Sequence, residues 1–209
     1  MENKNVEMIE ILRKAYPDAK CSLDFTTPFE MLVAVMLSAQ CTDERVNKVT
    51  PSIFKKYNTP EDFVKIDINE LENLIHPCGF YKNKAKNIKL CSQKILDEFN
   101  GKVPENMEDL VSLPGVGRKS ANVIMLEAFG IPCGVAVDTH AKRLANRIGL
   151  SNKKEPEKIE QDLIKKIPNE YLKDVNHLFM WHGRNCCTAR SPKCNKCPIN
   201  SFCNFYKSL

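Results

Sequence analysis

Four cysteines near the C-terminus, Cys187, Cys194, Cys197 and Cys203, have six, two and five residues between them. Thiols this close together have little reason to stay reduced without a metal. Both a four-cysteine zinc site and an iron–sulfur cluster suit them. Cys186 stands next to the first and competes with it as a ligand. Arg184, Arg190, Lys193 and Lys196 are interleaved with the cysteines, so a bound metal would hold a basic loop in a fixed shape.

A second group lies upstream, in Leu113-Pro114-Gly115-Val116-Gly117-Arg118-Lys119-Ser120. Two glycines framing Val116 suit a tight hairpin, because glycine takes positive φ and lets the backbone approach a ligand closely. Hairpin amides beside a helix start can bind a phosphate of a nucleic-acid backbone. Lys119 falls in the first turn of the helix expected to follow. There the positive end of the helix dipole and its neighbour Arg118 both disfavour charge on the amine, which favours a nucleophile. Asp138 follows the apolar run Val135-Ala136-Val137 and precedes Thr139-His140. It suits the N-cap of a helix over residues 139–148, and a capping carboxylate is held rigidly enough to serve chemistry as well.

The elements that must position these groups read as helices. Val6, Ile9, Leu12 and Tyr16 step by three and four along one face. Thr26-Thr27-Pro28 signals a helix start, and Phe29 to Leu37 is apolar nearly all round, as a central buried helix should be. Asp43 is expected to cap a third helix running to about Tyr57. Thr59-Pro60 and Asp67 open two short ones, the second ending near Ile75. Residues 82–99 form a longer helix ended by Asn100-Gly101. A short helix over 106–112 and another over 119–129 flank the hairpin. No long run alternates with period two, so the fold class is all-α.

The chain has 209 residues, 43% of them hydrophobic and 27% charged, with a net charge of +5. This composition is that of a globular protein, and its mild basicity permits a polyanionic partner without requiring one. The longest apolar stretch, Met31 to Leu37, is far too short to span a bilayer. No apolar segment suited to a secretory signal follows the N-terminus. A cytoplasmic protein is expected, with its scattered cysteines Cys21, Cys41, Cys78, Cys91 and Cys133 reduced and buried.

Together, the hairpin ending in Lys119, the segment Val137-Asp138-Thr139-His140, the six–two–five cysteine tail and Leu37-Ser38-Ala39-Gln40 with Thr42-Asp43 resemble the endonuclease III family of DNA repair enzymes. The resemblance covers nearly the whole chain. It implies a six-helix domain over residues 21–132 and a second domain formed by residues 1–20 and 133–209, with a DNA-binding cleft between them. It also implies a 4Fe–4S cluster on Cys187, Cys194, Cys197 and Cys203. The activity implied is that of a glycosylase and AP lyase, acting as a monomer on double-stranded DNA with damaged pyrimidines or abasic sites. Lys119 matches the family's nucleophile and Asp138 its catalytic aspartate. Gln40 matches a residue that fills the gap left by a flipped nucleotide. Phe80 stands where the family commonly has an aliphatic wedge. Gly115, Val116 and Gly117, with Arg184, Arg190 and Lys193, are the expected DNA contacts. One extra residue lies between Lys119 and Asp138 relative to the family pattern, near Cys133-Gly134.

Two rival readings use the same motifs. The related adenine mismatch glycosylases need a glutamate in the early buried helix, where this chain has Ala34, with Glu30 one turn earlier. A metal-stabilised DNA-binding module without catalysis would use the hairpin and the cysteines but has no need of Lys119 with Asp138.

Overall fold

The computed structural model describes residues 2–209, with side chains from Lys4 onward. Its regular elements are α-helices and short 3-10 turns, and no strand occurs among the described residues. Val135-Ala136-Val137 is a loop. The contacts divide the chain into two compact units. One comprises Ser22–Ile131, and the other the chain up to Cys21 together with Pro132–Leu209.

The Ser22–Ile131 unit is built round α2 (Pro28–Ser38), in which every residue from Phe29 to Leu37 is buried. Helix α1 (Glu2–Ala15) belongs to the other unit. Thr27 caps α2 by accepting the Glu30 amide, while Glu30 Oε2 accepts both the amide and the hydroxyl of Thr26 at 2.6 Å. Glu30 is therefore buried as part of a helix start, with its carboxylate already engaged. Helix α3 (Asp43–Phe54) is capped by the Thr42 hydroxyl, which accepts the Arg45 amide. The expected cap, Asp43, is the first helical residue and accepts the Ser22 hydroxyl at 2.5 Å instead. The helix also stops at Phe54, short of Tyr57.

Helices α4 (Pro60–Lys65) and α5 (Ile68–Ile75) start on Thr59 and Asp67 as expected, the first through a full capping box. Both pack on α6 (Tyr81–Phe99), and Asn100 ends α6 in the left-handed conformation. A single 3-10 turn, His76–Cys78, leads into Gly79 and Phe80. Helices α7 (Met107–Ser112) and α8 (Arg118–Phe129) pack on each other, and α8 packs on α2. Phe63 is fully buried, edge-to-face with Phe29 at 5.5 Å between ring centres.

In the other unit, α9 (Thr139–Ile148) packs on α10 (Pro156–Lys166), α11 (Asn169–Asn185) and the short α12 (Asn204–Lys207), and α1 packs on α11. Met8, Ile9 and Leu12 of α1 share a core with Leu144, Ile159, Leu163, Val175 and Phe179. The scattered cysteines do not all follow the burial expected of them. Cys78 and Cys91 are buried, Cys21 and Cys41 are half-buried, and Cys133 is exposed. Cys133 lies in the loop before Asp138, where no core reaches it.

Candidate active site and cluster loop

The hairpin forms between α7 and α8, and its two glycines do different work. Gly115 has a φ of +83°, which an L side chain rarely adopts. A Cβ there would lie 2.8 Å from Met36 Cε and 3.0 Å from Asn87 Cβ, so the turn is seated against α2 and α6. Gly117 has extended backbone, φ −94°, and a Cβ there would meet nothing within 4 Å. Its freedom is one of access. As the N-cap of α8 it offers no side chain to the first amides of the helix, which leaves them for an anion. Val116 is buried between the two glycines and anchors the turn. Lys119 is the second residue of α8 and is exposed, directly behind these amides.

Two further expected residues in this unit share an unusual backbone. Gln40 (φ 54°) and Phe80 (φ 47°) are, with the helix-ending Asn100, the non-glycine residues of positive φ among those described. Both side chains are exposed, Phe80 by 67%, the most of any large apolar residue apart from Leu209 among the described residues. A bulky aromatic held outward on strained backbone gains nothing for the fold, and such strain concentrates at functional positions.

In the other unit, Asp138 caps α9. Its Oδ1 accepts the amides of His140 at 2.8 Å and Ala141 at 2.7 Å, so the cap uses one carboxylate oxygen. The same helix carries the anchors of the cysteine loop. Arg143 donates to the carbonyls of Cys187 (2.9 Å) and Gly183 (2.9 Å). Arg147 donates to Cys187 Sγ (3.2 Å) and to the carbonyls of Thr188 and Ala189. These two arginines thus pin the loop to α9.

All five clustered cysteines line one cavity, together with Leu144, His182 and Ile199. The Sγ atoms of Cys186 and Cys197 and a ring nitrogen of His182 lie within 4.8 Å of one another. Tyr16 Oη is 2.9 Å from His182 Nδ1, and His182 Nε2 is 3.5 Å from Cys197 Sγ. Burial pushes the Cys197 thiol up to about 12, raises Cys186, and pushes His182 down to about 4. Five thiols converge here without a disulfide, and burial holds at least two of them protonated unless a cation draws them off. The donor set therefore suits a thiophilic metal group. Spacing leaves Cys186 spare, yet it is buried in this cavity, and neither His182 nor Arg147 stands out in the sequence as part of it. The histidine lies one helical turn before Cys186 on α11, and the return of the loop after α11 brings Cys197 to it. Arg184, Arg190 and Lys193 are exposed.

A model of the family described as "HhH-GPD superfamily base excision DNA repair protein" matches residues 33–169. A second, "Iron-sulfur binding domain of endonuclease III", matches residues 187–203, a span that begins at Cys187 and ends at Cys203. The chain is 50% identical to endonuclease III of Synechocystis over 97% of its length and 92% of the relative's. It is 41% identical to that of Escherichia coli K12 over 99% and 97%. A structure of a trapped endonuclease III–DNA covalent intermediate superposes with a TM-score of 0.92 at 42% identity, covering 100% of this chain and 98% of that one. A non-covalent endonuclease III–DNA complex gives 0.91 at 42% identity. On its helical hairpin, its cysteine loop and this likeness along the whole chain, the protein belongs to the endonuclease III family of the HhH-GPD base-excision repair superfamily and carries that family's iron–sulfur cluster.

Proposed function

We propose that this protein removes oxidised pyrimidines from double-stranded DNA and then cuts the strand 3′ to the abasic site, working as a monomer on DNA in the cytoplasm. The observation that carries this reading is Lys119, an exposed amine in the first turn of α8 behind a hairpin whose amides are open to phosphate.

The damaged nucleotide leaves the stack, since its C1′ cannot be reached inside the duplex. Amides around Gly115 to Gly117 hold the backbone nearby. Lys119 Nζ attacks C1′ and the base departs with a proton. The sugar ring opens to an imine between Nζ and C1′. Loss of a C2′ proton then expels the 3′ phosphate by β-elimination, and water releases the lysine. Asp138 supplies negative charge where the sugar becomes positive and accepts protons during the transfer. The cap bonds fall on Oδ1, so Oδ2 can do this while the helix start stays intact. Gln40 and Phe80 fill the space left in the duplex. Cys187, Cys194, Cys197 and Cys203 hold the cluster, which fixes the loop presenting Arg190 and Lys193 to phosphates, with Arg184 on the preceding helix.

The adenine-specific alternative is disfavoured because Ala34 is buried where a glutamate would be needed and Glu30 is consumed by the start of α2. The test is turnover of a duplex carrying one oxidised pyrimidine in the presence of borohydride, which reduces the imine to a stable amine. A covalent enzyme–DNA product is expected. Base release without any cross-link would instead favour a monofunctional glycosylase, and no release at all a binding module.

A further inference from the structure

Gln40 and Phe80 both stand on backbone that the surrounding structure has to enforce, and the structure contains one group placed to enforce it at both. Lys84 lies on the first turn of α6, four residues after Phe80, and its side chain is buried. Its ammonium donates to the Leu37 carbonyl at 2.7 Å and to the Cys78 carbonyl at 2.9 Å. Leu37 is in the last turn of α2, three residues before Gln40. Cys78 closes the 3-10 turn, two residues before Phe80. The Lys84 amide also donates to the Phe80 carbonyl at 3.0 Å, closing the first turn of α6 on the wedge residue.

A buried ammonium without a carboxylate is a costly choice for a fold. Here it meets a carbonyl at the C-terminal end of α2, where the helix dipole is negative, and a second carbonyl from a turn. An apolar side chain would fill the same space but would leave both carbonyls without that donor. Asn100, the third residue of this backbone class, needs no such fastening, since it ends a helix where the left-handed conformation is usual.

We propose that Lys84 is the positioning residue of the DNA-inserting pair, its ammonium tying the end of α2 to the turn before α6 so that Gln40 and Phe80 present themselves as one preset unit. The inference rests on the reading of those two residues as gap-fillers. Its consequence is specific: loss of the tie impairs work on the duplex, where a gap must be filled, more than work on an abasic site in single-stranded DNA, where there is no stack to repair.

Rates of strand cleavage would be measured on the same abasic oligonucleotide, single-stranded and in duplex, for Gln40→Ala, Phe80→Ala, Lys84→Met and the Lys84→Met double variants, each with its circular dichroism and thermal midpoint. Lys84→Met is expected to lower the duplex-to-single-strand ratio about tenfold. It should add little further loss in the background of Gln40→Ala or Phe80→Ala, because residues acting as a unit are not additive. If Lys84→Met does not yield folded protein, Lys84→Gln replaces it; this variant keeps a donor for one carbonyl and should give a smaller drop of the same kind. An unchanged ratio, or losses that multiply in the double variants, overturns the role of Lys84. Unchanged ratios for Gln40→Ala and Phe80→Ala would overturn the gap-filling reading itself, and the inference with it.

Discussion

Asp138 holds the amide of Ala141 at 2.7 Å through the same carboxylate oxygen that takes the amide of His140. The side chain therefore has a structural bond and a free oxygen at once, and substitution can separate the two. An asparagine in its place would keep an oxygen for the cap, so Asp138→Asn should leave the thermal midpoint nearly unchanged. It should slow base release about 10²- to 10⁴-fold, the range for loss of a proton-transfer group. Asp138→Ala should lose a similar amount of activity and also about 1 kcal/mol of stability. Single-turnover base release beside thermal denaturation checks this. An asparagine variant that turns over at the normal rate would reduce Asp138 to a cap.

Lys119 is exposed and lies in the first turn of α8. Lys119→Gln should abolish the borohydride cross-link and keep duplex affinity within about threefold, since a single surface charge is a small part of binding that backbone amides share. Gel analysis after reduction, with a parallel binding titration, measures both. Undiminished cross-linking would assign the chemistry to another amine.

The hairpin glycines should respond in opposite ways. Gly115→Ala meets both an unfavourable φ and the Met36 and Asn87 side chains, and should cost about 1–3 kcal/mol. Gly117→Ala meets neither and should fold normally. Its added methyl stands where phosphate must approach, so its loss should show in DNA affinity. Denaturant unfolding and binding, taken on both variants, separate the two effects. Equal affinity of Gly117→Ala and the parent would remove the amides around Gly117 from the phosphate site.

The cavity offers two groupings of ligands, and the absorbance of the purified protein distinguishes them. If Cys187, Cys194, Cys197 and Cys203 hold the cluster, Cys203→Ser loses the broad visible band or yields little soluble protein, and Cys186→Ser keeps it. If His182, Cys186 and Cys197 form the core of the site, Cys186→Ser loses the band. Iron content by elemental analysis accompanies each spectrum.

Lys193 is exposed while its backbone is tied in by the bond from its amide to the Cys186 carbonyl at 3.0 Å. Lys193→Ala should therefore keep the loop and the visible band. It should lower duplex affinity for every sequence alike and make the salt dependence shallower by about one unit in the slope of log K against log salt. An unaltered slope would take Lys193 out of the interface.

Much of this protein is legible in its sequence because the signals are local. The apolar run of α2, the caps at Thr27, Thr59, Asp67 and Asp138, the glycine hairpin and the cysteine spacing each act within a few residues, so a chain read in order reveals them. The tertiary structure alone decided what depends on residues far apart. It placed His182 beside Cys197 and Arg147 against Cys187, and gave Gly115 a left-handed backbone but Gly117 an extended one. It made Thr42 the cap of α3, with Asp43 accepting the Ser22 hydroxyl instead. It also turned Lys84, one surface-like charge among many in the sequence, into a buried tie between two segments that the sequence sets about forty residues apart. Spacing along a helix or loop fixes which residues can meet locally, whereas burial and hydrogen bonding across helices follow from packing, which no local pattern contains.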